Sequence, residues 1–423
     1  MTAPYSVSLG DLVYAADSTG INDSAPAFQA AIRAVSGASR HGGQVLVPTG
    51  SYRLAAPLTI PSNVTLAGTF AAPPRYWTAP LPQIQGSVLE MDYAGDETAP
   101  PLISLGPQAT LRGVTIYDRR QTKPGNPVSR PWLIRGGGAN NVVTDGIGLS
   151  VQDVLLVNPW KGIDLGTYQC GGHYLRGIYG QPLNLGIRVD NSLDPGRIAD
   201  VHFWEFWSAA ATAYTIAHGT AIEFGRADWE MVQGVFGWKY SRGLRFVGGE
   251  SDMGTSAQFT NIQFDQCDVA IDVNRLGRGG VQISNLLCAC FPGMGTTRTP
   301  VRLQRASGYI GGPVQIVNAT LWGPADLNAQ TFPPFGEAIC LVDGLGTLLI
   351  SNSHFHDWAT NALLVRNGGR LIASGNLFED RQSWDRNAVW AQPGAYQTAV
   401  LGNLALGNAV RIDTPFGAVA GNL

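Results

Sequence analysis

Acidic and basic residues recur at one position of a short strand motif that the chain repeats. Six segments, GIDL, GIRV, AIEF, GLRF, AIDV and PVRL, have apolar residues at the second and fourth positions. These side chains therefore point to the interior of a sheet, and the third points to solvent. An exposed ladder of ion pairs is the simplest interpretation. The third positions alternate between acid and base in the order Asp164, Arg188, Glu223, Arg245, Asp272 and Arg302.

The same ladder also permits a hydrolytic interpretation. If the strands lie in neighbouring coils ~4.8 Å apart, Glu223 and Asp272 are separated by about 10 Å at the backbone. That separation is compatible with the ~6.5–9.5 Å between the carboxyl groups of an inverting glycosidase. Arg245 lies between the two acids in the ladder and would hold both ionised, which weakens Glu223 as a proton donor. Asp252, in the loop sequence GGESDMG with Glu250, is the third candidate, because a loop acid could escape the arginines.

Aromatic residues accompany this charged face. Insertions interrupt the repeat at one corner, just before the ladder strand, and they are rich in Trp and Phe. Aromatic rings offer flat apolar surfaces to the C–H faces of sugars. A single such residue is better explained by core or trimer packing, and it is their clustering beside a charged face that favours sugar binding. Arginines of the ladder would bind an acidic sugar. The predicted platforms are Trp204, Trp207 and Trp229, and the predicted acidic-sugar ligands are Arg245 and Arg302.

Neither the histidines nor the cysteines predict a cofactor or metal site. His354 and His356 alternate on one strand and share a face, but no third ligand is evident from the sequence nearby. The five cysteines form no CxxC pair and are odd in number, which favours buried thiols. We therefore expect no metal and no cofactor.

Internal repetition predicts the fold. Four segments superpose without a gap, beginning DVLLV at Asp153, GIYGQ at Gly177, GVFGW at Gly234 and NIQFD at Asn261. The starts at Asp153 and Gly177 are 24 residues apart, and those at Gly234 and Asn261 are 27 apart. Short strands that recur at this spacing and are separated by Gly, Asn and Asp are typical of a parallel β-helix. The recurrent Gly, Asn and Asp suit bends that need left-handed backbone angles.

One short amphipathic helix precedes the strands. Asp23 or Ser24 can cap its first turn, an apolar face follows, and Gly37 supplies a stop, which predicts a helix over 24–36. An open stack of strands needs a cover at its end, because exposed strand edges recruit other chains. The helix is therefore expected to cap the first coil.

The opening segment STGINDSAPAFQAAIRAVSGASRHGGQVLVPTGSYRLAAPLTIPSNVTLAGT resembles that of the pectate-lyase superfamily, in the branch of phage tailspikes, glycoside hydrolases and uronan epimerases. The resemblance implies an all-β, single-stranded right-handed parallel β-helix of about ten or more coils with an N-terminal helical cap. The expected boundaries are 1–43 for the N-terminal segment and cap, 44–413 for the β-helix and 414–423 for a tail. The Asn-Thr-Asp, Asp-Asp and Gly-His-Gly set of polygalacturonases and the calcium-aspartate pattern of pectate lyases are not found.

Composition limits the partners. The net charge of −3 is spread without basic blocks, which excludes a typical nucleic-acid interface. The sequence shows no signal peptide and no ~18-residue apolar run, so we expect no membrane insertion. Few charges and long apolar and aromatic insertions suggest more exposed apolar surface than a monomer would carry, and the resemblance to tailspikes implies a homotrimer.

The sequence supports three functions. The first is a polysaccharide-cleaving enzyme of the tailspike depolymerase type, a glycoside hydrolase before a lyase, located on a virion or outside the cell. The second is a non-catalytic β-helical glycan-binding or structural protein of a virion or adhesin. The third is a uronan epimerase.

Overall fold

The structure is a computed structural model, and its chain divides into two compact units, residues 1–214 and 215–423. Each unit contains a sheet A, formed mostly by the longer strands, and a sheet B, formed by the strands that carry the ladder. The structure describes residues 6–38, 42–71, 73, 85–138, 145–206, 208–249, 252–289, 297–323, 337–380, 386–406, 408–415 and 417–422.

Unit 1 contains the N-terminal helix, Ala25–Ala38, after two short strands, and a second helix, Ala210–His218, contains the unit boundary. Within the described residues, no helix is long and apolar enough to cross a bilayer. Sheet A of unit 1 contains strands Ser6–Ser8, Thr19–Asp23, Gly43–Leu46, Gly50–Leu54, Val64–Ala67, Ser87–Met91, Thr110–Asp118, Ser150–Val157, Tyr174–Gly180 and Arg197–Phe203. Sheet B of unit 1 contains strands Leu58–Ile60, Ile103–Leu105, Trp132–Gly136, Lys161–Leu165 and Leu185–Val189.

Unit 2 repeats the same alternation of strands. Its sheet A contains Asp228–Trp238, Thr255–Asp265, Leu276–Ala289, Val314–Val317, Thr320–Trp322, Thr347–Ser351, His354–His356, Arg370–Ser374, Leu377–Glu379, Gln397–Leu401, Leu404–Leu406 and Gly417–Ala420. Its sheet B contains Thr220–Phe224, Arg242–Phe246, Val269–Val273, Val301–Tyr309, Ala338–Leu345, Asn361–Arg366, Asn387–Ala391 and Ala409–Ile412.

Successive strands of each sheet pair in parallel, and the chain passes from one sheet to the other before it returns. Ile163 lies opposite Ile187 in unit 1, for example, and Leu244 lies opposite Ile271 in unit 2. These inward positions are fully buried and form the core. The parallel β-helix expected from the repeat is confirmed. That its coils run without interruption over 44–413 stays a prediction.

From Gly113 onward, a column of left-handed residues in each unit bends sheet A at equivalent places in successive coils. Its φ angles lie between 50° and 71°, a region that Gly adopts freely and that Asn and Asp tolerate. Asp153 and Gly177 occupy equivalent places, since Gln152 pairs with Arg176 before the bend and Val154 with Ile178 after it. The recurrent turn residues of the sequence therefore have the predicted role. The column contains Gly113, Asp153, Gly177, Asp200, Gly234, Asn261, Asn285, Asn318, Asn352, Gly375, Gly402 and Gly421.

The N-terminal helix covers the first coils of unit 1. Asp23 caps it by accepting the Ala25 N–H at 3.0 Å, and the same oxygen accepts the Ala55 N–H at 2.9 Å. Phe28 is fully buried, and its ring meets Tyr52 edge-on at 5.4 Å. The expectation that Gly37 stops the helix is wrong, because the helix runs to Ala38 and the φ of Gly37 is not left-handed.

The cysteines of the described chain are buried free thiols, as expected, and Cys290 lies outside the described residues. Burial raises the pKa of Cys267 to about 12. Such a thiol stays protonated at neutral pH and is a poor nucleophile.

Gly402 allows the cost of the left-handed bend to be measured alone. A methyl group at Gly402 would meet no atom within 4 Å, yet its φ is 60°. We expect Gly402→Ala to lower the free energy of unfolding by about 1–2 kcal/mol through backbone strain, and Gly402→Asn to lower it less. Denaturant unfolding measures both changes.

Gly37→Ala is the matched control, because Gly37 also has open space around it but lies in a helix. This substitution should leave stability unchanged or raise it by up to ~1 kcal/mol. Equal losses at both positions would contradict the role assigned to the column.

Candidate functional site

The ladder residues lie opposite one another in sheet B. In unit 1, Arg135, Asp164 and Arg188 occupy consecutive strands. In unit 2, the same row contains Glu223, Arg245, Asp272 and Arg302, each paired in register with the next. The alternation that the sequence predicted is confirmed within each unit as a single row of opposite charges. The expectation that the whole row is exposed is wrong, because Asp164 is fully buried and Asp272 is nearly so beneath their arginine partners.

The acids of the row in unit 2 are held by guanidinium groups. Arg245 Nη1 donates to Glu223 Oε2 at 3.0 Å. Asp272 accepts two bonds from Arg302, both at 3.0 Å, and a third from Arg242 Nε at 2.9 Å. Only 8% of Asp272 is exposed. Bidentate bonds between a guanidinium group and a carboxyl group are typical of ion pairs, so the geometry matches the ion-pair interpretation of the ladder.

Beyond Arg302 the row changes from charged to apolar. Arg302 pairs with Leu341, Leu341 with Leu364, and Leu364 with Trp390. Leu341 and Leu364 are almost fully buried although their positions face outward. They form a cluster with Ala338, and the side chain of Trp390 packs against this cluster. These residues form the floor of an open groove of about 550 Å³, here called the sheet B groove.

Polar groups surround this floor. Arg366 is fixed at one edge of the groove, where it donates to Glu337 at 2.8 Å and to Asp343 at 3.0 Å. Trp390 is held at the far end, since its indole N–H donates to Asp413 at 3.0 Å and the Arg411 guanidinium lies 4.9 Å from its ring centroid. Hydroxyl, amide and guanidinium groups complete the lining, from Thr297, Thr299, Arg302, Gln304, Thr360, Asn361 and Gln392.

The loop acid does not escape the arginines, contrary to expectation. Asp252 accepts two bonds from Arg305, at 3.0 and 2.9 Å, and lies 3.5 Å from Arg275 Nε. The hydrogen bonds from Arg305, with the positive charges of both arginines, lower the pKa of Asp252. Asp252 is therefore ionised at neutral pH, and Glu250 lies outside the described residues.

The predicted aromatic platforms are not gathered on the ladder. Trp229 belongs to sheet A of unit 2, where it is 68% exposed and lines a small depression of about 170 Å³ with Met231 and Gln258. Trp204 follows strand Arg197–Phe203 of sheet A in unit 1 and lies edge-on to His202. Trp207 lies outside the described residues.

A carboxyl group with a raised pKa occurs on sheet A, where the sequence reasoning did not place one. Asp265 lies between Trp238 and Ala289 in the register of neighbouring strands. Burial raises the pKa of Asp265, and this effect outweighs the Gln266 N–H and the positive charge of Lys239. The sequence could have indicated this group, because the repeat aligns Asp265 with Trp238 and places the acid at an outward position beside that residue.

A second group that the sequence reasoning missed joins two coils. His354 Nε2 lies 3.0 Å from Glu379 Oε2, and His356 pairs in register with Glu379. The sequence places the two histidines on one face of a strand, but Glu379 lies in the following coil. Aligning SHFHDW on NLFED by the repeat would have placed Glu379 beside His356.

Comparisons with known proteins agree with the fold. Residues 12–146 match the family described as rhamnogalacturonase A/epimerase, pectate lyase-like. No curated protein sequence matches the chain.

Several solved structures have a similar fold. The catalytic unit of a thermostable GH87 α-1,3-glucanase from Streptomyces thermodiastaticus strain HF3-3 is 17% identical, with a TM-score of 0.55 over 99% of this chain and 68% of that chain. DFA-IIIase from Arthrobacter chlorophenolicus A6 is 13% identical, with a TM-score of 0.52 over 96% of this chain and 98% of that chain. The tailspike protein of Escherichia coli bacteriophage HK620, solved with a pentasaccharide, is 13% identical, with a TM-score of 0.51 over 96% of this chain and 66% of that chain. At these identities the likeness shows the fold.

The raised pKa of Asp265 gives a prediction for stability. The pKa of this acid is higher in the folded protein than in the unfolded chain, where it is ~3.9. Its ionisation therefore destabilises the fold, and this destabilisation grows as pH rises from the unfolded pKa through the folded pKa. We expect Asp265→Asn, which removes the buried charge, to raise the melting temperature at pH 7. The gain should shrink as pH falls towards 4.

Asp343→Asn provides a control of opposite sign. Burial alone would raise the pKa of Asp343, but hydrogen bonds from Asn367 and Arg366 outweigh it and lower the pKa. Asp343→Asn should therefore lower the melting temperature at pH 7, with the loss shrinking in acid. Thermal melts of both variants from pH 4 to 7 measure these changes, and the same sign for both would refute the assignment.

Proposed function

We propose that this parallel β-helix protein, whose residues 12–146 match a pectate lyase-like family, binds and cleaves a polysaccharide. The sheet B groove is the proposed binding site. Its apolar floor within a polar rim is the observation that carries the proposal.

The floor suits the faces of sugar rings. Sugar C–H groups pack on apolar and aromatic side chains, while the hydroxyl groups around the ring need hydrogen-bonding partners at the rim. The floor from Arg302 to Trp390 crosses three strand intervals, or about 14 Å at ~4.8 Å per interval. This length favours an oligosaccharide segment over a single sugar.

Charge at the rim supports an acidic glycan. Arg302 and Arg366 line the groove and present guanidinium groups, which bind carboxylates in a bidentate manner. Both arginines already have carboxylate partners within the protein. A uronate or other acidic sugar would therefore bind by sharing or displacing these partners.

For the chemical step we keep Glu223 and Asp272 as the proposed carboxylates, with Asp252 third. Asp272 adjoins the groove through Arg302. An ionised carboxylate suits the general base that activates water, whereas the general acid must be protonated. Asp265 has a pKa raised by burial, but it lies on sheet A and does not line the sheet B groove, so it is not proposed as the acid. β-Elimination by a lyase is the alternative chemistry.

A non-catalytic glycan-binding protein is the second candidate function. It is favoured by the ion pairs that occupy Glu223, Asp272 and Asp252. In such a protein the ladder would have a structural role beside the binding groove, and no carboxyl group would have to be available for catalysis.

Assembly and location belong to the same proposal. Exposed Ile372, Leu404 and Leu406 on sheet A of unit 2 support an oligomer, and the homotrimer stays a prediction. A virion or extracellular location is proposed because polysaccharide substrates occur on cell surfaces and in cell walls.

Trp390 tests the groove directly. We expect Trp390→Ala to weaken binding of a glycan selected from a panel of capsular and plant polysaccharides by about tenfold, because ~1–2 kcal/mol of aromatic contact is lost. Trp229→Ala removes an exposed indole from sheet A and serves as the matched control. Titration calorimetry should show little change for the control, and the reverse result would move the binding site to sheet A.

The carboxylates are tested by their amides. Glu223→Gln and Asp272→Asn should each reduce turnover at least ~100-fold if they are the acid and base, while the fold is retained. Asp164→Asn, in the ladder of unit 1, is the control for loss of a ladder charge. Product length and absorbance of unsaturated sugars distinguish hydrolysis from elimination. Full activity in both variants would leave the ladder a structural role only.

A further inference from the structure

Two histidines and one glutamate converge on the outer face of sheet A in unit 2. Phe355 points inward and is fully buried, so His354 and His356, on either side of it, both face outward. Strand Leu377–Glu379 pairs in parallel with strand His354–His356 and places Glu379 opposite His356. The three side chains therefore come from two successive coils.

The distances between these groups suit a single ion. His354 Nε2 and Glu379 Oε2 are 3.0 Å apart, and the two imidazole rings stack with centroids 3.9 Å apart. The ligand atoms of all three residues lie within 4.8 Å of one another. Nitrogen and oxygen ligands bind Zn²⁺ at ~2.0–2.2 Å, which places ligand atoms of a tetrahedral site about 3.3 Å apart. For both nitrogens to point at one ion, the imidazole rings must rotate out of their stacked arrangement, because the lone pair of each nitrogen lies in the plane of its ring.

The surroundings favour a bound cation. The Trp322 ring stacks on His356 at 4.9 Å from the preceding coil, and only 8% of His356 is exposed. Leu406 lies opposite Glu379 in the following coil. The Trp322 ring covers His356, whereas His354 and Glu379 keep part of their surface exposed, so a cation can reach the site from solvent.

We propose that His354, His356 and Glu379 bind one divalent transition-metal ion, Zn²⁺ by preference, and that this ion links two successive coils. Two imidazoles and one carboxylate are a ligand set that Zn²⁺ uses with a fourth position open to water. Ca²⁺ and Mg²⁺ prefer oxygen ligands and do not match two histidines. The sequence predicted no metal because the third ligand lies in another repeat. The site is independent of the sheet B groove.

Calorimetric titration of the chelator-treated full chain with ZnCl₂ tests the proposal. We expect one ion per chain and a rise in melting temperature on zinc addition, since binding to the folded state stabilises it. His354→Gln and Glu379→Gln should each weaken zinc binding at least about tenfold. His218→Gln, which removes an exposed histidine elsewhere, should bind zinc as the parent does.

Circular dichroism checks that each variant is folded, and Co²⁺ gives a second measurement that needs no variant. Cobalt bound to the parent by these ligands should give the visible absorption bands of a low-coordinate site, and zinc should abolish them. The proposal is overturned if the parent binds no zinc at high micromolar concentration. It is also overturned if folded variants bind zinc as tightly as the parent, or if bound cobalt shows only the spectrum of the hydrated ion.

Discussion

The architecture depends on a backbone bend of sheet A that recurs in successive coils from Gly113 onward. Each bend residue adopts φ near +60°, which costs an ordinary side chain about 1–2 kcal/mol. Gly avoids this cost, and Asn and Asp reduce it through local hydrogen bonds of their short side chains. Because the strand pairs before and after the bend keep the same register, each coil repeats the turn of the one before it. The outward rows of both sheets follow from that repetition.

One of these rows carries two kinds of chemistry. Along sheet B of unit 2, opposite charges alternate up to Arg302, and apolar residues replace them from Leu341 to Trp390. In the charged part each carboxylate has a guanidinium partner, which satisfies groups that would be costly to leave partly buried and unpaired. In the apolar part the outward side chains pack on one another and leave an open groove. Arg302 belongs to both parts, since it binds Asp272 and lines the groove.

The sequence predicted those features that depend on local periodicity. The coil fold, the capping helix, the bend residues and the order of the ladder all follow from alternation and turn chemistry. The side-chain partners between coils could not be predicted from periodicity, because they depend on the rotamer that each side chain adopts. Asp272 binds Arg242 as well as Arg302, and Asp252 is held by Arg305, 53 residues further along the chain. Glu379 was missed for a related reason, since its partners lie one repeat earlier.

The pairing pattern also bears on how each unit acquires its structure. Strands pair with strands of the next coil, commonly 20 to 40 residues away, as between Leu377 and Leu404 or Gln304 and Asp343. No completed coil therefore has to wait for a distant part of the chain, and ordering within a unit can nucleate at one place and propagate coil by coil. Every finished coil presents an unpaired strand edge that templates the next. A local error in strand register would then be repeated in the coils that follow. The bend residue of each coil opposes such an error, because it fixes the position at which the strand turns.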